Sequence, residues 1–486
     1  MKQFLKVITK FDKYFLFLFL LVFFQSAGIY YGKVCRINNL GKKCQLIDKF
    51  KIVSPGNLFL RYYDDLRTYL LTNSSSGFIV KDLEDVNSRF SDLNSGFNFY
   101  YEPGSRERAG YILVSSADPF NDGKPLIQLW DLNNQKKIFS WKLNLKNIAK
   151  GIGYKGVNTK NLSAIHPLIL DDGSLIINDI LPGNDGQDPI IKVSIDGDFL
   201  KSNSEYVFHH SLERDYQDKI YVPIRSKKLV NGLYKDEGFA ILDKNLNILN
   251  TYSLSKIFKD NGLNYEIYAK QPTKNPFHIN DVAPLNNNVE TRFVLLSLRS
   301  LSMIIAFDLE TQKIVWLLKG FSSMQHDVDY LDEYGTQISF FDNNISMTPE
   351  SFSLSHETKG NLFKIIKNLP RLDSSKKDGI RIYNYPEIMN NKNNLEFKLF
   401  KFNSMKEKFI PRTITSGQSE FISGNNSIFI EESNYGRMFE IEVDSKKILW
   451  QYLNKNDDSK VYMIHWSRRY EKINDNLIRN LVYYGK

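Results

Sequence analysis

The stretch FDLETQKIVW at Phe307–Trp316 contains the pattern that decides the fold. It consists of a short apolar strand, an aspartate with a few polar residues, and a second strand that ends in an aromatic residue. This order is typical of a tight β-hairpin. Variants of the phrase occur at four other places: LWDLNNQKKIFSW at Leu129–Trp141, VSIDGDFL at Val193–Leu200, ILDKNLNILNTY at Ile241–Tyr252 and IEVDSKKILWQY at Ile441–Tyr452. A hairpin that recurs in this way indicates a repeat architecture.

The spacing of these phrases indicates the size of the repeat. Their aspartates are Asp131, Asp196, Asp243, Asp308 and Asp444, which gives intervals of 47 to 65 residues and one of 136. Such intervals fit four-stranded units with insertions, and the long interval leaves room for a further unit. We therefore predict an all-β fold, a six-bladed β-propeller over residues 60–486. The alternative is one β-sandwich or two, which would not explain the repeated phrase.

Composition excludes several classes of protein. The chain has 486 residues with 34 Phe and 27 Tyr, enough to bury a substantial core, so wholesale disorder is excluded. Its two cysteines exclude a disulfide-built scaffold and a Cys-rich zinc module. The net charge of +9 comes from 64 basic and 55 acidic side chains mixed along the chain. Since no block of Lys and Arg occurs, we expect no nucleic-acid partner.

Three segments between the strands are predicted to be short helices. They are WKLNLKNIAKGI near Trp141, YSLSKIFKDNGL near Tyr252 and LFKIIKNL at Leu362–Leu369. We expect them to decorate one face of the propeller.

The amino-terminal residues 1–32 predict export. No charged residue occurs from Tyr14 to Gly32, a run of 19 residues preceded by Lys2, Lys6, Lys10 and Lys13. A run of this length comes close to spanning a bilayer, and the lysines should stay on the cytoplasmic side. We predict a transmembrane signal anchor. A cleaved signal peptide is the alternative, with small residues for cleavage at Ser26-Ala27-Gly28.

Residues 33–59 are predicted to be a tether between the membrane and the propeller. Both cysteines, Cys35 and Cys44, lie in this segment. In an oxidising compartment they could close a short disulfide loop, and two free thiols are the alternative.

Histidine is rare in the chain and recurs in similar surroundings. Of the seven histidines, His209, His210, His278 and His326 lie in phrases that lead into a strand. The innermost strands of a propeller line its central channel, so we expect these side chains to converge at one mouth. Arg299, in VLLSLRSLSMIIAFD, is interpreted as a charge on an apolar strand, which requires a reason.

Three interpretations of this cluster stay open on the residues alone. Three imidazoles are a common zinc set, but an arginine would repel a cation and no fixed metal-binding spacing occurs. Arginine and protonated histidine can instead hold a phosphate or sulfate while a neutral imidazole nitrogen attacks its central atom. The histidines could also be packing residues only.

Several phrases in this part of the chain resemble the bacterial arylsulfate sulfotransferase (arylsulfotransferase) family. They are HINDVAPL, LLSLRSLSMIIAFDLETQKIVW, MQHDVDYLDEYGTQISFFDNN and SGQSEFISGNNSIFIEESNYGRMFEIEVDSKKILWQY, in that order, and the resemblance covers roughly residues 203–452. It implies a six-bladed propeller in the bacterial periplasm. It also implies transfer of a sulfuryl group from an aryl sulfate ester to a phenol, without the nucleotide sulfate donor PAPS, by a ping-pong reaction through a sulfohistidine.

The resemblance assigns roles to individual residues. His326, in Q-H-D, matches the nucleophile of the family, and His278 with Asn280, in H-I-N, matches a His-x-Asn pair of the active site. Arg299 matches the active-site arginine, and the remaining family histidine falls at His209 or His210. We expect Arg299 and Asn280 to bind the ester oxygens, and a protonated His278, His209 or His210 to donate a proton to the leaving phenolate.

One further residue and the partners complete the expectations. Asp327, beside His326, is a candidate for orienting its ring, although neighbouring residues on a strand point to opposite faces. The expected partners are a small aryl sulfate donor, a phenolic acceptor and the inner membrane, with no cofactor and no metal. The expected location is the bacterial inner membrane with the propeller in the periplasm. The alternative function is a membrane-tethered module that binds or senses an anionic or aromatic ligand without turnover.

Overall fold

The computed structural model describes residues 89–485 apart from several gaps. These are 107–108, 155–162, 179–187, 231–233, 269–274, 287–289, 344–361, 373–379, 385–393, 401, 403–404, 407–408, 412, 414–415 and 458–459. The chain forms two compact units. The larger comprises Gly77–Lys227, Gly238–Thr251 and Ile279–Lys486, and the smaller includes Lys228–Glu237 and Tyr252–His278.

The predictions for the amino terminus fall outside the described residues. This applies to the signal anchor of residues 1–32 and to the tether with Cys35 and Cys44. Within the described ranges, no helix is both long and apolar enough to cross a membrane.

The fold is all-β, a six-bladed β-propeller, as the repeated phrases predict. The strands up to the end of the third blade are β1 (Gly96–Phe99), β2 (Tyr111–Ala117), β3 (Pro125–Asp131), β4 (Lys136–Trp141), β5 (Ile165–Ile169), β6 (Leu175–Asn178), β7 (Ile190–Val193), β8 (Phe199–Asn203), β9 (Val207–Phe208), β10 (Glu213–Arg214), β11 (Ile220–Val230), β12 (Tyr234–Leu242) and β13 (Ile248–Ser253).

The strands from residue 279 onward form most of the other three blades, and the last of them belongs to the first blade. They are β14 (Ile279–Pro284), β15 (Phe293–Leu298), β16 (Met303–Asp308), β17 (Lys313–Lys319), β18 (His326–Tyr330), β19 (Ile338–Asp342), β20 (Leu362–Lys367), β21 (Arg381–Asn384), β22 (Glu396–Phe400), β23 (Gln418–Ile422), β24 (Ser427–Glu432), β25 (Arg437–Glu442), β26 (Ile448–Leu453) and β27 (Arg468–Tyr470).

Each blade is one sheet whose first strand lines the channel. From the channel outward the orders are β27-β2-β3-β4, β5-β6-β7-β8, β10-β11-β12-β13, β14-β15-β16-β17-β21, β18-β19-β20-β22 and β23-β24-β25-β26-β1, and β9 also pairs with β11. Neighbouring strands whose register the structure describes are antiparallel, except for β17 and β21, which are parallel. The predicted propeller is therefore built from four-stranded units with two added outer strands.

The repeated phrase forms the outer hairpin of five blades, as predicted. The aspartate holds the turn: Asp131 Oδ1 accepts a hydrogen bond from Asn134 N at 2.9 Å, and Asp243 Oδ1 accepts one from Asn245 N at 2.8 Å. An aspartate at the start of a turn stabilises it in this way. The long interval between Asp308 and Asp444 contains the blade β18-β19-β20-β22, whose outer strands lack the phrase.

The tryptophans of the repeated hairpin phrase pack between neighbouring blades. Trp141, Trp316 and Trp450 are almost fully buried, and each lies in an apolar cluster formed by two neighbouring sheets. Trp316, for example, packs with Val328 and Phe340 of the next blade. Burying a side chain of this size contributes about 2–3 kcal/mol, so these tryptophans stabilise three of the junctions between blades.

Two strands from opposite ends of the described chain close the propeller. β27 pairs with β2 as the innermost strand of the first blade, and β1 pairs with β26 as the outermost strand of the last blade. A buried ion pair joins the same two blades, because Arg469 Nε lies 3.1 Å from Glu440 Oε2. Arg469 also donates to the carbonyls of Tyr111 and Tyr470.

Two of the three predicted helices are confirmed and the third is wrong. The helices are α1 (Leu145–Gly151), α2 (Leu254–Asp260), α3 (Asn264–Tyr268) and α4 (Asp475–Tyr484). The segment Leu362–Leu369 instead contains strand β20. Its spacing misleads because Lys364 is not a surface residue: its ammonium group lies 2.5 Å from the buried carboxylate of Asp342.

The smaller unit is organised by one aspartate and two aromatic rings. Asp236 accepts hydrogen bonds from the hydroxyls of Ser253 and Ser255, both at 2.6 Å, just where α2 begins. Phe258 of α2 packs edge-on against Phe277, with ring centroids 5.1 Å apart. These contacts tie α2 to the segment that leads to His278.

Candidate active site

The inner strands start with an unusual backbone conformation. Six residues at or just before these strands have positive φ values: His166 (46°), His210 (63°), His278 (47°), Asp327 (51°), Gly417 (133°) and Trp466 (54°). A left-handed residue other than glycine costs about 1–2 kcal/mol, and such strain concentrates at functional sites. Two of the four histidines selected from the sequence, His210 and His278, therefore have this conformation, and His326 directly precedes the residue that has it, Asp327.

His326 is the first residue of β18 and is fully buried. Its Nδ1 lies 2.6 Å from Oδ1 of Asn343, the residue after β19. Its Nε2 is also buried and makes no hydrogen bond with any part of the chain that the structure describes. A buried imidazole nitrogen without a partner is chemically available to a ligand.

Asn280 holds the peptide that precedes His326. Its Nδ2 donates to the carbonyl of Gln325 at 2.8 Å, and the side chain of Gln325 donates to the carbonyl of Met303 at 2.9 Å. One amide N–H of Asn280 is therefore committed to positioning His326. Its binding to ester oxygens stays a prediction.

His210 brings a second imidazole to the same place. Its ring is nearly parallel to that of His326, with centroids 6.3 Å apart and an angle of 25°. His209 contacts His210 through their Nδ1 atoms at 2.8 Å. Trp466 packs edge-on against both His210 and His326, at 5.9 and 5.8 Å. The sequence left His209 and His210 equivalent, and it is the ring of His210 that faces His326.

Arg299 supplies the positive charge. The sequence suggested that Arg299 lies on a strand, and this is wrong. Strand β15 ends at Leu298, and Arg299 begins a short 3-10 turn, Arg299–Leu301. Its Nε is buried without a hydrogen bond to the described chain. Burial lowers the pKa of this guanidinium to about 10, so it stays charged at neutral pH.

Burial and Arg299 keep the neighbouring imidazoles neutral. Burial, then Arg299, then Arg225 lower the pKa of His210 to about 3. The pKa of His326 is also lowered, well below 6.5, by burial first and by Arg299 second. The pKa of His209 is also lowered, by burial and then by His210 and Arg225. A protonated His209 or His210, expected from the sequence, disagrees with these directions.

His278 and Asp327 have other contacts than expected. His278 is the last residue of the smaller unit, where its backbone N–H donates to Glu237 Oε2 at 2.5 Å and its Nδ1 contacts Asn275 Nδ2 at 2.9 Å. Asp327 accepts a hydrogen bond from the backbone N–H of Ser419 at 2.7 Å. The residue that contacts the His326 ring nitrogen is therefore Asn343, and the suggestion that Asp327 orients this ring is wrong.

Three residues of the site were missed by sequence reasoning: Asn343, Trp466 and Arg225. Asn343 lies in the stretch FFDNN, but asparagine is so common in this chain that nothing distinguished it. Trp466 follows His465 at the start of the last inner strand, and its equivalence to His210 becomes visible only through the backbone angles. Arg225 lies on β11, where it resembles an ordinary surface strand residue.

Four inner strands carry a carboxyl group two or three residues after the residue with positive φ. The four carboxyl groups are those of Glu213, Asp281, Asp329 and Glu420, and Arg468 is the neighbouring cation. Burial first, and then nearby acids, raise the pKa of Asp281 to about 7, and burial raises that of Glu420 to about 7. Among the described residues no group of three or more His, Cys, Asp or Glu is arranged to hold a metal ion.

Comparisons with known proteins identify one family. The model of the arylsulfotransferase (ASST) family matches residues 166–455, which include Asn280, Arg299, His326 and Asn343. No curated protein matches the chain.

Solved structures give only weak similarities. A protein of unknown function from Bacteroides caccae is 12% identical with a TM-score of 0.42, over 74% of this chain and 97% of that chain. A catalytically inactive virginiamycin B lyase from Staphylococcus aureus with quinupristin is 11% identical with a TM-score of 0.34, over 72% of this chain and 87% of that chain. At these values neither carries an argument about function.

Proposed function

Because the family match covers more than half of its length, this chain belongs to the arylsulfotransferase family, and we propose that it transfers a sulfuryl group from an aryl sulfate ester to a phenol through His326. One observation carries the proposal. The buried Nε2 of His326 and the buried Nε of Arg299 lack hydrogen-bond partners among the described residues. The imidazole nitrogen can attack an electrophilic centre, and the guanidinium can bind anionic oxygens. A sulfate ester contains both.

The first half-reaction forms a sulfohistidine. The lone pair of His326 Nε2 forms a bond to sulfur while the sulfur–oxygen bond to the aryl group breaks. The electron pair of that bond leaves on the phenolate oxygen, which takes a proton from water. Arg299 binds the sulfuryl oxygens, whose charge it balances in a loose transition state.

The second half-reaction returns the sulfuryl group to a phenol. The acceptor oxygen forms a bond to sulfur and the sulfur–nitrogen bond breaks, with its electron pair returning to His326 Nε2. The phenol proton passes to water. His210 is neutral at pH 7 because its pKa is lowered to about 3, so it is too weak a base to take that proton. In this proposal the neutral ring of His210 accepts a hydrogen bond from the phenol. The role of His278 as a further proton donor or acceptor stays a proposal on the family pattern alone.

The test is acceptor-dependent turnover of 4-nitrophenyl sulfate by the full chain in detergent. We expect a burst of nitrophenol equal to the enzyme concentration, steady turnover when a phenol is added, and a covalent sulfuryl adduct on His326. His326→Gln should abolish all three. His166→Gln is the matched control, because His166 is also buried but its Nδ1 already accepts a hydrogen bond from Leu212 N at 3.2 Å.

Three other results of this experiment would contradict the proposed function or mechanism. A folded protein that binds the ester without releasing nitrophenol would favour a binding or sensing module. Loss of turnover on chelation would favour metal chemistry. Release of nitrophenol that persists in His326→Gln would contradict the proposed nucleophile.

We also propose that the protein is held at the bacterial inner membrane with the propeller in the periplasm. The lysines before Tyr14 and the uncharged run that follows support this orientation. Protease added to spheroplasts should digest the propeller, and the intact mass of the mature chain would distinguish an anchor from a cleaved signal. Protection from protease would contradict the proposal.

A further inference from the structure

Asn343 joins the proposed nucleophile to the neighbouring blade through both ends of its amide. Its Oδ1 faces His326 Nδ1 at 2.6 Å, and its Nδ2 donates to the carbonyls of Thr413 at 3.2 Å and Ser416 at 3.1 Å. Two carbonyl oxygens can only accept hydrogen bonds. The amide nitrogen must therefore face them, and the amide oxygen must face the imidazole.

This orientation determines where the proton of His326 lies. Since Oδ1 of Asn343 can only accept, Nδ1 of His326 must carry the hydrogen. In a neutral imidazole the lone pair then lies on Nε2, the nitrogen without a partner in the described chain. We propose that Asn343 is a positioning residue that fixes His326 in its nucleophilic tautomer. The inference rests on the proposed function of His326.

An amide suits this role better than a carboxylate. When Nε2 attacks sulfur, the imidazole keeps its Nδ1 proton and becomes positively charged, so its hydrogen bond to Oδ1 strengthens. A carboxylate at the same place would raise the pKa of His326 and favour the charged imidazolium, which has no lone pair to attack with. Asn343 orients the ring without that effect. It thus complements burial and Arg299, which lower this pKa.

The strands explain why Asn343 can hold the ring accurately. β19 ends at Asp342, which accepts the backbone N–H of Ser323 at 2.8 Å and binds Lys364. Asp342 therefore secures the segment before His326, and Asn343 secures the ring itself. Both anchors belong to the end of one buried strand.

The test measures the tautomer directly in the full chain. We expect ¹⁵N NMR of histidine-labelled protein to show His326, assigned by comparison with His326→Gln, protonated at Nδ1. In Asn343→Leu, which has a similar size but no hydrogen-bonding group, the ring should populate both tautomers. Burst rate and kcat with 4-nitrophenyl sulfate should fall about 10- to 100-fold while KM changes little.

A conservative variant separates positioning from general damage. In Asn343→Asp a carboxylate accepts the same proton, so the Nδ1–H tautomer should return. The burst rate should then begin to fall at a higher pH than in the wild type, because a carboxylate beside Nδ1 raises the pKa of His326. Asn203→Leu is the control, since the amide of Asn203 binds the carbonyl of Leu246 between other blades and should leave kcat unchanged.

The outcomes distinguish this inference from the proposed function. An Nε2–H tautomer in the wild-type protein would overturn the role of Asn343, even if Asn343→Leu failed to fold. An unchanged tautomer and burst rate in Asn343→Leu would also overturn it. The expected tautomer together with no turnover of any aryl sulfate by the wild-type protein would instead refute the proposed function.

Discussion

Arg299 lowers the pKa of His326 in addition to the role that we propose for it, binding of the anionic oxygens of the substrate. Burial is the larger cause of the low pKa of His326, and Arg299 is the second. The imidazole of His326, the proposed nucleophile, is therefore neutral throughout the range in which a solvent-exposed histidine would titrate. We expect the burst rate of the wild-type protein to be independent of pH between about pH 6 and 8.

Arg299→Met should change the shape of that profile as well as its height. Removal of the guanidinium raises the pKa of His326, so the burst rate should begin to fall at a higher pH than in the wild type. Stopped-flow bursts across the pH range test this. Arg292→Met, which removes a guanidinium paired with Asp308, should keep the flat profile. A profile unchanged in Arg299→Met would show that burial alone keeps His326 neutral.

Glu420, which is half-buried on β23, provides a test of the carboxyl groups on the inner strands. Its pKa in the folded protein is raised to about 7 from 4.5, chiefly by burial, so the folded state binds a proton that the unfolded state releases. Stability should therefore decrease as pH rises from about 4.5 to 7. Glu420→Gln removes this effect. We expect its melting temperature to exceed that of the wild type by a few degrees at pH 8 and to match it at pH 4.5; the reverse order would refute the account.

The residues also differ in how far the sequence revealed them. Arg299, His326 and Asn280 could be selected because they match a family pattern, and rare residues in repeated surroundings indicated convergence. Asn343 and Trp466 could not, because their roles depend on contacts between blades that no local pattern encodes. The pKa directions were likewise hidden, since burial of a histidine among neighbouring strands follows from the closed fold.

At the scale of single elements, the start of each inner strand determines where a site side chain points. Gly417 has this position in the last blade, directly after Ser416, whose carbonyl holds Asn343. A Cβ atom on Gly417 would lie 2.4 Å from Thr413 Cγ2 and 2.6 Å from Phe341 Cε1. The element therefore has no space for a side chain.

Gly417→Ala should disturb both stability and chemistry. Its φ of 133° and the close contacts predict a cost of about 2–4 kcal/mol and a lower burst rate. Urea unfolding and burst kinetics measure the two effects. Gly96→Ala is the control, because its φ of 80° is similarly restrictive but no atom lies within 4 Å of the added methyl group. Equal costs for both variants would mean that the contacts around Gly417 do not matter.

Secondary-structure elements could be predicted from the sequence where the local pattern of residues fits only one structure. The outer hairpins followed from the aspartate and turn residues that all five copies share, and three copies add an inter-blade tryptophan. β20 was mistaken for a helix because its spacing of apolar residues fits both structures, and only the ion pair of Lys364 with Asp342 explains a lysine facing inward. The smaller unit was not foreseen, since its contacts join two separate stretches of chain.

At the scale of the whole propeller, the ion pair of Arg469 and Glu440 joins the first and last blades. Both side chains are buried, and Glu440 also accepts hydrogen bonds from Trp450 and Ser427. Removal of one partner leaves an uncompensated charge in the interior. Such a loss costs about 3–5 kcal/mol, far more than the loss of an exposed pair.

Arg469→Met should therefore lower the free energy of unfolding by about 3–5 kcal/mol. Chemical denaturation followed by tryptophan fluorescence measures the change. Lys256→Met is the control, because Lys256 pairs with Asp260 on an exposed helix surface and should cost less than about 1 kcal/mol. Similar losses in both variants would mean that the junction is not a special point of stability.

The double closure also has a consequence for synthesis. The channel edge of β2 receives its partner only when β27 has been made, and 358 residues separate Arg469 from Tyr111. At ribosomal speeds of about 5–20 residues per second, that edge stays unpaired for roughly 20–70 s. An unpaired strand edge invites association with other chains. The nascent protein should therefore depend on chaperones throughout translation, and that need should end abruptly when its last strand emerges.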